Sequence, residues 1–137
     1  RFQELKRWRS RLDLPLVLEP KYFPANDRDA AGMVIAANRD GLDGIALAGA
    51  FLRAVWAEER NIADPDTIVL IADNMGLDGT QLLSQSSSDD VNAIWETNTA
   101  DGKNAGVFGA PTYVYGEHMF WGQDRLDFLD QALKSGS

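Results

Sequence analysis

The stretch GVFGAPTYVYGEHMFWGQDRLDFLDQAL, residues 106–133, decides the fold of this chain. The β-branched and aromatic residues of TYVY and HMFW predict two strands. Between them, Gly116 and Glu117 predict a two-residue type II′ turn, because that turn takes glycine first. In RLDFLDQAL, leucines then recur at helical spacing. A lone hairpin is marginal in water, so this pattern predicts further strands beside it.

The residues before this stretch predict a block of helices. Apolar residues recur at helical spacing from Phe2 to Leu12, and the proline-rich segment PLVLEPKYFPAND follows as an extended connector. Residues 28–104 carry start and stop signals for four or five helices. The clearest is ADPDTIVLIADNMG, which has an aspartate cap, a proline in the first turn and a glycine after the last turn.

Length and charge exclude several classes of partner. The chain has 137 residues with a net charge of −8, and its 13 lysines and arginines are scattered. A phosphate-binding surface needs clustered positive charge, so we expect no nucleic-acid partner. No apolar run approaches the roughly 20 residues that span a bilayer, so we expect no membrane partner.

Cysteine and histidine usage restricts the chemistry. The chain has no cysteine and one histidine, His118, which we expect at the surface of the hairpin. Disulfides, thiol nucleophiles, a histidine-based triad and a zinc site therefore cannot be built from these residues. We predict no metal site, and chemistry that uses carboxylates, hydroxyls, amides or a group from outside the chain.

Three motifs carry a family resemblance that runs from about Trp8 to Leu133. FPAN, GVFGAPTYV and FWGQDRLDFL resemble the 2-hydroxychromene-2-carboxylate isomerases and the related kappa-class glutathione transferases, in the DsbA-like branch of the thioredoxin superfamily. The resemblance implies an α/β, thioredoxin-like fold with a large helical insertion. It divides the chain into a helix and connector (1–27), the helical insertion (28–104) and the C-terminal part of the thioredoxin-like domain (105–137).

The same resemblance implies an activity and its partners. It implies a glutathione-dependent cis-trans isomerase in the catabolism of naphthalene-like aromatic hydrocarbons, with a cytoplasmic location. Glutathione is the implied cofactor and a small aromatic carboxylate the implied substrate, and a homodimer is allowed. In the family mechanism, the thiolate of glutathione adds to the ring-opened substrate, rotation about a double bond follows, and the thiolate leaves.

The catalytic residue implied by the family is not expected among these 137 residues. The sequence begins RFQELKRW, already at helical spacing, and the family's first strand, helix and second strand would precede Arg1. That segment would hold a catalytic serine, or the Cys-x-x-Cys motif of the oxidoreductases.

Ala110 and Pro111 are the first predicted glutathione-binding residues. In thioredoxin-like folds the equivalent proline is cis, so we expect a cis bond here. The backbone N–H and C=O of Ala110 would then pair with the cysteinyl residue of glutathione as with an added strand. In the alternative interpretation, Pro111 merely begins an edge strand.

The WGQD segment supplies the other predicted glutathione contacts: Trp121, Gly122, Gln123 and Asp124. Gly122 permits close backbone approach. Gln123 and Asp124 are expected at the start of the last helix, where free N–H groups favour a carboxylate, while Asp124 can also pair with an ammonium group. The γ-glutamyl end of glutathione has both charges. The alternatives are a helix cap for Asp124 and core packing for Trp121.

Asn26, in FPAND, is the predicted substrate-binding residue, again through the family. Its alternative is a bare helix cap, with no part in binding.

Two other functions stay open. One is a DsbA-like thiol–disulfide oxidoreductase, which the segment before Arg1 would distinguish by Cys-x-x-Cys in place of serine. The other is an inactive fragment that persists as a helical binding module.

Overall fold

The computed structural model describes residues 1–136. The helices are α1 (Phe2–Leu12), α2 (Arg28–Arg39), α3 (Gly44–Trp56), α4 (Pro65–Asn74), α5 (Gly79–Gln85), α6 (Asp89–Asn104) and α7 (Leu126–Ser135). The strands are β1 (Thr112–Tyr115) and β2 (His118–Trp121), and a 3₁₀ turn, Gln123–Arg125, precedes α7. The helical block predicted for residues 28–104 is present.

The described chain divides into two compact units. The first is Arg1–Trp95, and the second runs from Glu96 to the end of the described residues. The division falls inside α6. The domain boundaries predicted after residues 27 and 104 stay predictions.

The first unit has a hydrophobic core built by α2, α3, α4, α5 and the start of α6. Its largest fully buried side chains are Met33, Leu47, Ile68, Leu82 and Val91. Alanines and glycines let the helices approach closely. A Cβ atom at Gly32 of α2 would lie 2.2 Å from the carbonyl oxygen of Ser86, so only glycine fits there. The small-residue face of α2 therefore fixes its distance from the end of α5.

Aspartate caps begin three of the core helices. The side chains of Asp43, Asp64 and Asp78 accept hydrogen bonds from backbone N–H groups in the first turns of α3, α4 and α5. Each bond satisfies a donor that the helix itself leaves unpaired. The start predicted at Asp64 and Pro65 is confirmed, and Gly76 follows the helix with a φ of 81°.

One ionic cluster ties α2 to the start of α6. The guanidinium group of Arg39 donates to Asp40, Asp90 and Gln85. The hydrogen bond from Ser88, together with that from Arg39, holds the pKa of Asp90 below its ordinary value. Hydrogen bonds to the carboxylates of Asp40 and Asp90 raise the pKa of Arg39 above its ordinary value. These side chains join elements that are far apart in sequence.

The second unit contains a two-stranded antiparallel sheet followed by α7. The strands pair from Thr112 with Trp121 to Tyr115 with His118. Gly116 has a φ of 60°, while the φ of Glu117 is not positive, as the predicted type II′ turn requires. No residue from 96 to 136 is buried, and the described residues add no third strand to the sheet.

Candidate functional site

The turn before β1 lies beside the end of β2 in the second unit. The Ala110–Pro111 bond is cis, as predicted. The carbonyl oxygen of Pro111 accepts a hydrogen bond of 2.9 Å from the backbone N–H of Gly122, and the hydroxyl of Thr112 donates to the carbonyl of Gly109. The structure therefore brings together the two predicted binding segments, residues 110–111 and 121–124.

Ala110 presents free backbone groups at this corner. Its N–H and C=O make no hydrogen bond within the described chain, and the residue is exposed. An extended peptide lying alongside would supply both a donor and an acceptor, as an added strand does. Both backbone groups of Ala110 are therefore available for the predicted pairing with a peptide-like ligand.

Gly122 makes room for the carboxylate of Asp124. Gly122 has a φ of 98°, a conformation that L side chains rarely adopt. A Cβ atom at this position would lie 2.6 Å from Oδ1 of Asp124. Glycine is therefore required twice, once for the backbone and once for the space that the carboxylate occupies.

Gln123 and Asp124 lie in the 3₁₀ turn and not in the last helix, which begins at Leu126. Neither the turn nor α7 has a side-chain cap, so the alternative of Asp124 as a helix cap is wrong. The 3₁₀ turn follows directly after Gly122, whose φ is positive. Within the described chain, the N–H groups of both residues and the Asp124 carboxylate have no hydrogen-bond partner.

Trp121 is not a core residue. Its side chain is 54% exposed and contacts the ring of Phe108, with centroids 5.1 Å apart. Its indole nitrogen would lie 2.8 Å from a Cβ atom at Gly109. Sequence reasoning missed both Phe108 and Gly109, although the run of small residues around the proline was the available signal.

Asn26 lies at the end of the connector in the first unit. Its side-chain oxygen accepts a hydrogen bond of 3.1 Å from the backbone N–H of Arg28, at the start of α2. This bond satisfies the N–H of the first residue of α2, but Asn26 is not the N-cap, because that position is Asp27, which makes no side-chain cap bond. The side-chain NH₂ group of the exposed Asn26 donates to nothing in the described chain. The preceding Phe23–Pro24 bond is cis, which the sequence did not predict. Asn26 and Asp124 belong to different compact units.

Arg28 is a polar residue near Asn26 that sequence reasoning missed. Its guanidinium group lies over the ring of Trp95, 4.1 Å from the centroid, and donates to the side-chain oxygen of Asn92. The Nη1 nitrogen is buried and donates to no acceptor in the described chain. These contacts hold the start of α2 against α6. The sequence does not reveal them, because Arg28 and Trp95 are far apart along the chain and only the tertiary fold brings them together.

The described residues offer neither a metal-binding cluster nor a membrane-spanning helix. No cluster of three or more histidine, cysteine, aspartate or glutamate side chains there could hold a metal ion. None of the described helices combines the length and apolarity needed to cross a membrane.

Known proteins are similar to this chain in sequence. A 2-hydroxychromene-2-carboxylate isomerase of Sphingobium xenophagum is 28% identical over 130 residues, which are 95% of this chain and 65% of that protein. The isomerase of the same name from Pseudomonas putida is 31% identical over 132 residues, covering 95% of this chain and 62% of that protein. The resemblance predicted from the motifs is confirmed.

A solved structure agrees with these relatives. The selenomethionine form of a 2-hydroxychromene-2-carboxylate isomerase superposes with a TM-score of 0.79 at 26% identity, covering 96% of this chain and 63% of that one. The chain thus spans less than two thirds of each of these proteins. The predicted thioredoxin-like, DsbA-like fold is confirmed.

A family model extends over nearly the whole sequence. The model described as DSBA-like thioredoxin domain matches residues 1–134. This chain therefore belongs to the family of DSBA-like thioredoxin domains.

Proposed function

We propose that this chain is part of a glutathione-dependent 2-hydroxychromene-2-carboxylate isomerase that acts in the breakdown of naphthalene-like aromatic compounds. Its relatives carry that isomerase name, and its helices and hairpin match those of a solved isomerase. The observation that carries the proposal is the corner of the second unit. There, the free backbone groups of Ala110 lie next to a segment with free N–H groups and an unpartnered carboxylate.

The groups at this corner match glutathione in chemical type. The N–H and C=O of Ala110 suit its cysteinyl backbone, which pairs as an added strand. The N–H groups of Gln123 and Asp124 suit the carboxylate of its γ-glutamyl end, and the Asp124 carboxylate suits the ammonium group on the same carbon. Gly122 leaves space for the Asp124 carboxylate that would bind this ammonium group, because a Cβ atom at Gly122 would lie 2.6 Å from its Oδ1.

Glutathione, when bound, would supply a thiol that adds reversibly to the substrate. The residues of this chain would bind and orient the tripeptide, so that its sulfur is held in place while rotation occurs about a bond within the substrate. Asn26, with its free NH₂ group, would donate a hydrogen bond to the aromatic carboxylate substrate. Pairing of the Asp124 carboxylate with the ammonium group of glutathione would fix the γ-glutamyl end of the tripeptide, which is the end farthest from the reacting sulfur.

The test uses the complete natural protein that contains this sequence. Conversion of 2-hydroxychromene-2-carboxylate to its isomer is followed by absorbance, with and without added glutathione. We expect conversion that depends on glutathione and saturates with it. Absence of conversion would contradict the isomerase assignment, and equal rates without glutathione would contradict the cofactor.

A matched pair of variants tests the site itself. Asp124→Asn should weaken glutathione binding by about 1–3 kcal/mol, the scale of a charge-assisted hydrogen bond, as measured by calorimetric titration. Asp127→Asn is the control, because Asp127 is also exposed and follows in the first turn of α7. Equal affinities for Asp124→Asn and the control would remove Asp124 from the site while leaving the isomerase activity to the first test.

A further inference from the structure

The first turn of α2 contains a guanidinium group that forms no ion pair with a carboxylate of the described chain. The Cζ atom of Arg28 lies 4.1 Å from the ring centroid of Trp95, and Nη2 donates to Oδ1 of Asn92. The Nη1 atom is buried and has no acceptor among the described residues. A buried donor without an acceptor costs free energy, and apolar residues of similar volume often replace buried charges without loss of stability. Stability alone therefore does not explain an arginine at this position.

The backbone of Arg28 holds the amide of Asn26. Its N–H donates to Oδ1 of Asn26 at 3.1 Å, so the NH₂ group of the same planar amide is directed away from this N–H. An asparagine that accepts from the N–H two residues further on forms an Asx turn. Asn26 is exposed, so water competes for its oxygen, and the turn is kept when the backbone that follows is held in place.

Few side chains in the first turn of α2 hold that backbone. Asp27 is the N-cap but makes no side-chain cap bond, and both Asp27 and Asp29 are exposed. Ala30 is the first buried residue of the helix. The guanidinium group of Arg28 is therefore the anchor nearest to Asn26.

The partner of this anchor is itself held. The Nδ2 atom of Asn92 donates to the carbonyl oxygen of Ser87 at 3.2 Å, which fixes the amide of Asn92 at the start of α6. A chain of hydrogen bonds thus runs from the start of α6 through the side chain and backbone of Arg28 to Asn26.

We propose that Arg28 is a positioning residue, which anchors the start of α2 to α6 and thereby holds the amide of Asn26 with its NH₂ group presented to the substrate carboxylate. This inference rests on the proposed function, in which Asn26 binds the aromatic carboxylate. A donor that is already oriented binds better, because ordering a mobile side chain during binding costs free energy. Arg28 acts here through Asn26 and does not touch the substrate.

The other end of α2 supplies a matched control. Arg39 also joins α2 to the start of α6, through Asp90, but it lies about 16 Å from Arg28 along the helix. Arg39→Met and Arg28→Met each remove one tie between the same two helices. Methionine is unbranched, uncharged and compatible with a helix, so both variants should fold, with similar decreases in thermal midpoint. Only Arg28→Met should affect the amide of Asn26.

The first experiment observes that amide in the complete natural protein without ligand. Its side-chain NH₂ signals in the NMR spectrum are identified by their loss in Asn26→Ala. In Arg28→Met we expect these signals to move toward those of a solvated asparagine, and the backbone N–H of residue 28 to exchange with heavy water about fivefold faster. Unchanged signals in Arg28→Met, or equal changes in Arg39→Met, would overturn the proposal.

A second variant covers the case in which Arg28→Met does not fold. Arg28→Lys keeps a cation but lacks the planar fork that both stacks on the ring and donates to the amide of Asn92. It should change the same signals in the same direction by a smaller amount. A folded Arg28→Lys protein with the wild-type signals would then count against the proposal.

The second experiment asks whether the amide acts on the substrate. With saturating glutathione, Arg28→Met should raise the KM for 2-hydroxychromene-2-carboxylate about tenfold, the scale of a hydrogen bond to a charged group, and leave kcat within about twofold. Asn26→Ala should raise the KM by a similar factor, and the double variant should raise it no further, because one residue acts through the other. Arg39→Met should keep the wild-type KM.

The outcomes separate this inference from the proposed function. Additive effects of Arg28→Met and Asn26→Ala on the KM would overturn the positioning role, because Arg28 would then act by another route. A wild-type protein that does not convert the substrate would contradict the proposed function instead. The amide signals of Asn26 would still decide whether Arg28 positions it.

Discussion

The two compact units use the same local signals but differ in what holds them together. In the first, helices capped by aspartate enclose fully buried side chains such as Met33 and Leu47. In the second, the turn, strands and helix form as their sequence patterns predict, yet Phe108 is 69% exposed and Phe128 is 57% exposed. Local signals therefore suffice to form a helix or a strand, whereas a core requires apolar faces from several elements.

The candidate glutathione-binding corner belongs to the unit without a core. Its geometry is held by a backbone hydrogen bond between Gly122 and Pro111 and by the ladder of a four-residue hairpin. In the first unit, by contrast, packing restricts positions such as Gly32 to one residue type. Variants at matched positions in the two units therefore test whether this difference in packing determines stability.

The largest difference is expected for large-to-small substitutions. Leu47→Ala removes a fully buried side chain and should lower the free energy of unfolding by about 2–5 kcal/mol. Leu133→Ala, on a side chain that is 53% exposed, should cost less than about 1 kcal/mol. Denaturant unfolding of the complete protein measures both. A cost at Leu133 that equals the cost at Leu47 would mean that the face of α7 is covered in that protein.

Two glycines in helices should respond with opposite signs. Gly32→Ala places a methyl group 2.2 Å from the Ser86 carbonyl oxygen and should destabilise the protein by about 1–3 kcal/mol through overpacking. Gly102→Ala meets nothing within 4 Å and should stabilise α6 by about 0.5–1 kcal/mol. Thermal melts of the two variants check the signs. Destabilisation by Gly102→Ala would show that a neighbour approaches it closely.

Aspartates that begin turns should also differ between the units. Asp64 accepts hydrogen bonds from the backbone N–H and the hydroxyl of Thr67, so Asp64→Ala should cost about 1 kcal/mol of stability. Asp124 makes no cap, so Asp124→Ala should change the free energy of unfolding by at most about 0.5 kcal/mol in the absence of ligand. A loss of stability at Asp124 comparable to that at Asp64 would indicate a structural role for its carboxylate.

The smallest expected effect is on acid stability. The pKa of Asp90 is below its ordinary value of 3.8, because Ser88 and Arg39 donate to the folded carboxylate. Its contribution is therefore complete well above pH 3.8 and is lost as the pH falls through the lower folded value. Asp90→Asn should flatten the decline in thermal midpoint between pH 5 and pH 3 slightly, because the pair is exposed.

The control for this experiment lies in the second unit. Among the described residues, the exposed Asp130 carboxylate pairs with Lys134, one turn away in α7. Its substitution by asparagine should leave the decline of the thermal midpoint in acid unchanged. Identical pH profiles for Asp90→Asn and the wild type would show that the tie from α2 to α6 contributes no measurable stability.

The sequence by itself determined the helices and strands and, at the candidate site, the segment at Ala110 and Pro111. Start signals such as Asp64 and Pro65, the Gly116 turn and the cis bond at Pro111 all depend on residues within a few positions of each other or on a recognised motif. Such short-range patterns can be read directly because backbone sterics and capping bonds act locally.

Only the tertiary structure decided which residues meet. Arg28 contacts Trp95, and Gly32 approaches Ser86, although both pairs are far apart in sequence. In α3, Leu47 is buried while the equally apolar Ile45 and Leu52 are exposed. Asp124 shows the same limit at short range, since it was expected at the start of the last helix and lies instead in a 3₁₀ turn that follows Gly122. Periodicity says which face of a helix is apolar, but burial depends on how closely the backbones of other elements approach that face, and this distance is a property of the packed chain.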